Sequence, residues 1–99
     1  MNEKIDWMIG MSENMANIAA DNQGMSFMDE LHNMATNIRD NLDKMREREL
    51  EDRTVDMMEQ LMRSMEQVMI NMDKGNDQQN LAMKNMMMYM LVLMEFQMG

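Results

Sequence analysis

Arg46-Glu47-Arg48-Glu49-Leu50-Glu51-Asp52-Arg53-Thr54 is the stretch on which the fold turns. Before it, Phe27, Met28, Leu31, Met34, Ala35, Ile38, Leu42 and Met45 recur at three- and four-residue spacing. After it, Val55, Met58, Leu61, Met62, Met65, Val68, Met69 and Met72 do the same. Each set is the buried stripe of an amphipathic helix. Between them Leu50 stands alone among charges, so either the chain turns here or one long helix crosses open solvent. Glu49 and Arg53 are spaced for a helical ion pair and neither Gly nor Pro interrupts the stretch, which suits three helices with one long central helix. A compact 99-residue domain gains more by folding four helices of about twenty residues onto one core. The sequence therefore predicts an all-α, antiparallel four-helix bundle occupying residues 1–99 as a single domain, with Asp52 or Thr54 capping the third helix.

The remaining helices follow from the same spacing. Ile5, Met8, Ile9, Met11, Met15, Ile18 and Ala19 form a first stripe with Trp7 at its edge, and Gly10 weakens it by about 1 kcal/mol relative to Ala. Gly24 is placed to close that helix, and Ser26, with Asp29 three residues on, to open the next. Lys74 and Gly75 suit a third C-terminus, and Asn76 or Asp77 a fourth cap. The fourth segment carries Leu81, Met83 and then the run Met86-Met87-Met88-Tyr89-Met90-Leu91-Val92-Leu93-Met94, followed by Phe96. That run is apolar all round and half the length of a membrane span.

Methionine supplies 21 of the 99 residues against seven leucines, and most fall on the predicted stripes. A thioether on an unbranched stem fills irregular gaps, but ordering it costs roughly 1.5–2 kcal/mol against about 0.5–1 for Leu. Twenty such differences amount to about 10–20 kcal/mol, as large as the whole stability of about 5–15 kcal/mol that domains retain. The methionines must therefore be thoroughly buried, or the interior is loosely specified. The methionine excess and the missing proline are also what deliberate replacement of other apolar residues by methionine would leave.

A formal charge of −9, from 18 acids and 9 bases, argues against nucleic acid as a partner. Cysteine is absent, which excludes disulfides and thiolate metal sites. No basic segment precedes an apolar stretch at the N-terminus, so a cytoplasmic protein without membrane contact is expected. No EF-hand loop, phosphate-binding glycine loop or nucleophile elbow is present. The carboxylates of the 46–54 stretch alternate with arginines as a solvated segment does, and no catalytic residue is assigned. A non-enzymatic protein without cofactor is the reading.

Three groups of residues carry other chemistry. Met8, Met11 and Met15, or Met62, Met65 and Met69, have the softness to bind Cu(I), although the same spacing describes any buried stripe, and no metal site is assigned. A methionine-lined groove also suits an apolar helix of another protein, since flexible side chains repack around different targets. His32, the single histidine, lies at the boundary of the second stripe with Asp29 one turn away. In that setting its ring has the chemistry of a phosphoryl acceptor oriented by a carboxylate. The segment His32-Asn33-Met34-Ala35-Thr36-Asn37-Ile38 resembles the phosphoacceptor helix of dimeric sensor kinases, where histidine, apolar, Thr or Asn, and apolar residues alternate. The resemblance implies a phosphotransfer or dimerisation module using His32. Asn33 and Asn37 stand where that family usually has an acid and often a proline.

A helix without a polar face leaves an exposed patch on a small monomer and promotes association. Asp77, Lys84 and Glu95 are the only charged side chains after Gly75, so like-charge repulsion resides on the other helices. The sequence thus predicts a homo-oligomer, a dimer first, with residues 86–94 as the interface of a structural or protein-interaction module.

Overall fold

The spacing of apolar residues resolves into four helices: α1 (Glu3–Ala20), α2 (Ser26–Met45), α3 (Asp52–Ile70) and α4 (Asp77–Met98). They are seen in a computed structural model that describes residues 3–21, 26–70 and 77–98. The expected closures at Gly24, Lys74, Gly75 and Asn76 lie outside the described residues, as does the Ser26 side chain.

The charged stretch is a turn. The Arg46 N–H donates to the Asp43 carbonyl at 3.3 Å and the Arg48 N–H to the Met45 carbonyl at 3.0 Å, i to i−3 bonds that tighten the last turn of α2. The Val55 N–H donates to the Glu51 carbonyl at 3.1 Å, so Glu51 holds the cap position. The expected cap at Asp52 or Thr54 is corrected accordingly: both lie inside the first turn, where the Asp52 carboxylate still faces the positive end of the helix dipole. Leu50, the stretch's one apolar residue, folds against the core. The long-helix alternative would have left the α3 stripe without a partner.

Side-chain pairs fix the helix directions. Arg39 of α2 reaches Glu13 of α1 at 3.1 Å, and Arg46 just past α2 reaches Asp6 at 2.8 Å, so α1 and α2 are antiparallel. Gln97 near the end of α4 donates to Thr54 at the start of α3 at 3.3 Å, so that pair is antiparallel too. Lys4 pairs with Asp56, and Lys84 with Glu30 at 2.7 Å, which sets α1 beside α3 and α2 beside α4 with like ends together. Each of α1 and α4 packs on both α2 and α3, while no close backbone approach joins α1 to α4 or α2 to α3 among the described residues. Successive helices alternate in direction, and residues 46–51 carry the chain across the diagonal of the bundle. With neighbouring axes about 8–10 Å apart the diagonal is about 14 Å, within the roughly 23 Å that seven Cα steps can span.

The core is a narrow seam. Fully buried positions run Ile5, Met8, Ser12, Met15, Ala19 in α1; Met28, Leu31, Ala35, Ile38, Leu42, Met45 in α2; Val55, Met58, Met62, Met65 in α3; and Met83, Met87, Met90, Met94 in α4. Every step is three or four residues in strict alternation, the seven-residue repeat of knobs-into-holes packing. Eleven of these eighteen apolar residues are methionine, including all four from α4. One member of the expected α1 stripe is displaced by this register, and one residue outside that stripe takes a seam position. Counting from Ile5 by threes and fours lands on Ser12 and Ala19, so Ile18 is left exposed and Ser12 is buried. The Ser12 hydroxyl donates to the Met8 carbonyl at 2.8 Å, which satisfies it inside an apolar seam.

Candidate interaction surface

Within α4 the run of apolar residues divides by direction. Met83, Met87, Met90 and Met94 point into the bundle. Lys84 reaching Glu30 of α2 and Gln97 reaching Thr54 of α3 identify the two flanks. At about 100° per residue, Leu91 shares the Lys84 flank, while Met86 and Leu93 share that of Gln97; all three are half-buried against the core. What remains is an outer stripe of Leu81, Met88, Tyr89 and Val92, each about half exposed, and Phe96, which is 80% exposed. Its centre lies roughly 180° from the buried seam on the helical wheel.

The predicted interface is therefore redrawn. Of residues 86–94, Met87, Met90 and Met94 are sequestered in the chain's own core, because a four-helix bundle takes one seam from every helix. Met88, Tyr89 and Val92 are open, and Leu81 and Phe96, outside the predicted run, extend the stripe to both sides. A second series of three- and four-residue steps opposite the first was the available signal: Leu81, Met88, Val92, Phe96 follow it with Asn85 filling the gap.

The thioether groups are redistributed. Met8, Met15, Met62 and Met65 are fully buried, so neither intrahelical triad forms a separate accessible cluster. Met11, Met15 and Met69 instead line a groove of about 360 Å³ between α1 and α3, together with Ile18, Asn14, Asn17, Asp21 and Glu66. Among the described residues no three His, Asp or Glu side chains gather as a metal site.

His32 is half-buried where α2 meets α1, and its Nδ1–H donates to the Ala16 carbonyl at 3.0 Å. A carbonyl of the facing helix, not Asp29, orients the ring. The Thr36 hydroxyl donates to the His32 carbonyl at 2.8 Å, a bond within the helix. A shallow groove of about 310 Å³ beside the ring is also lined by Glu13, Asn17 and Arg39. The Arg39 guanidinium is engaged by Glu13 at 3.1 Å and Asp40 at 3.2 Å. Trp7, expected at the edge of its stripe, lies 4.6 Å beneath the Arg63 guanidinium and ties α1 to α3.

Among the described residues, the fold and the outer α4 face define an acidic, all-helical bundle with a methionine-dominated seam and an exposed apolar stripe. No helix among the described residues is long and apolar enough to cross a membrane. No family model matches the chain, and no curated protein or solved structure is significantly similar to it.

Proposed function

We propose that the protein is a non-enzymatic, self-associating module in which the outer face of α4 docks on the same face of a second copy. The observation that carries this reading is the apolar stripe from Leu81 to Phe96. It lies on the helix with the fewest charges, of which Lys84 is engaged by Glu30. For a chain of net charge −9, apposing any other helix brings more carboxylates together than apposing two α4 helices, whose acids are Asp77 and Glu95 alone.

The size of the stripe sets the strength. An aromatic side chain has about 150–250 Å² to bury, and with Tyr89 and Phe96 half and four-fifths exposed the five residues offer on the order of 500 Å² per chain. A pair then buries about 1,000 Å², the lower bound for a specific interface. Association is accordingly weak enough to be concentration-dependent, and a two-fold pair uses the same patch on both chains.

Sedimentation velocity over a range of concentrations tests this, with the double variant Val92→Asp, Phe96→Asp as comparison. The wild-type chain dimerises and the double variant stays monomeric with undiminished helicity. Undiminished association of the variant rejects this face. A wild-type chain that remains monomeric throughout rejects self-association and leaves the stripe to an apolar helix of another protein.

A further inference from the structure

We propose that Met88 is an oxidation site whose conversion to the sulfoxide releases the self-association; this rests on the α4 pairing above. The methionines with described side chains fall into three sets. Eleven are fully buried, Met11, Met34, Met69 and Met86 are half-buried, and Met57 and Met88 are exposed, at 39% and 51%. A dissolved oxidant reaches a core sulfur only when the bundle opens, but it reaches Met88 in the folded single chain.

The reaction needs a two-electron oxidant, here hydrogen peroxide. A sulfur lone pair attacks one peroxide oxygen, an S–O bond forms as the O–O bond breaks, and the departing hydroxide takes the proton from the attacked oxygen to leave as water. The sulfur gives up two electrons and the peroxide gains them. The product places a strong hydrogen-bond acceptor where an apolar chain end stood.

Position turns that change into a release. The stripe runs from Leu81 to Phe96, and Met88 is at its midpoint. If two such stripes meet about a two-fold axis in antiparallel register, the midpoint residues lie next to the axis, so one modification per chain brings two sulfoxides together at the centre. Burying them there without donors is unfavourable. Conversely, pairing covers Met88, so association and oxidation compete for the same residue.

The full chain is treated with hydrogen peroxide at protein concentrations below and above the association midpoint. Peptide mass spectrometry follows each methionine, and sedimentation and circular dichroism follow association and helicity. Met88 is expected to oxidise ahead of the core methionines, and several-fold more slowly above the midpoint than below it. The oxidised chain keeps its helicity and pairs at least tenfold more weakly. Peroxide leaves the pairing of Met88→Leu at the strength of its own untreated chain, while Met57→Leu loses pairing as the wild type does.

Loss of pairing that persists in Met88→Leu overturns the site while leaving the α4 pairing intact. So does Met88 oxidation at a rate indifferent to concentration in a chain that pairs, or helix loss at the first sulfoxide. A chain monomeric before any peroxide is added defeats the pairing and this site together.

Discussion

Gly10→Ala is expected to stabilise the protein by about 1 kcal/mol, and the structure makes the sign unambiguous. Gly10 is an exposed residue in the interior of α1, and a Cβ added there meets nothing within 4 Å. No contact is gained and none is strained. The whole effect is backbone entropy, which makes a helical glycine about 0.8–1 kcal/mol worse than alanine. For a domain of this size 1 kcal/mol raises Tm by about 4–8 °C.

The measurement is urea denaturation followed at 222 nm, with the fitted slope m compared between variants so that a shifted midpoint can be read as stability. Because α1 lies across the bundle from α4, the substitution should leave self-association unchanged, and that is read in the same preparation by sedimentation. An unaltered or lowered midpoint at equal m would refute the reasoning, since it would mean that the α1 backbone at Gly10 is not a regular helix open to solvent. Raised stability together with altered association would place the α1 outer face in the interface and contradict the assignment of that role to α4.

Two further outcomes follow from burial and charge. Met62→Ala empties a fully buried seam position and should cost about 2–5 kcal/mol, whereas Met88→Ala, measured below the association midpoint, should change stability by less than about 0.5 kcal/mol; equal costs in urea titrations would show that the interior does not distinguish them. Lys4 is held above the ordinary lysine value of 10.5 by its hydrogen bond with, and proximity to, Asp56. A raised lysine stabilises the fold at pH below the unfolded value and loses that contribution as pH climbs through the raised one, so alkaline titration by NMR should show Lys4 returning towards 10.5 in Asp56→Asn, and an unmoved Lys4 would remove the pair from the account.

The legibility of this chain depended on what each residue's neighbours along the sequence could report. The seam of α3 lay within the stripe read from Val55 to Met72, because a charged residue follows each of Val55, Met58, Met62 and Met65 and leaves one face to bury. In α4 that contrast vanishes: Met87, Met88, Tyr89 and Met90 are adjacent and apolar, so composition could not say which point inward. The His32 surroundings were illegible for a related reason, since the group that orients the ring is the backbone carbonyl of Ala16 on another helix. Ser12 escaped notice because a hydroxyl on a stripe looks like an interruption until its bond to the Met8 carbonyl is seen.

By itself the sequence determined that this protein is helical and that methionine would supply much of the interior, while the choice between four helices and three with a long central one fell to the turn after Met45. The first two follow from local periodicity and from side-chain chemistry, which act along a single helix. Only the tertiary structure decided that α2 and α3 face each other across the diagonal and that like-directed helices lie side by side. The chain between α2 and α3 can reach either a neighbouring or a diagonal position, and the choice is made by which seams interlock and which ion pairs close. That same choice sets α4 between α2 and α3, covers three of its faces, and leaves Leu81, Met88, Tyr89, Val92 and Phe96 in the open.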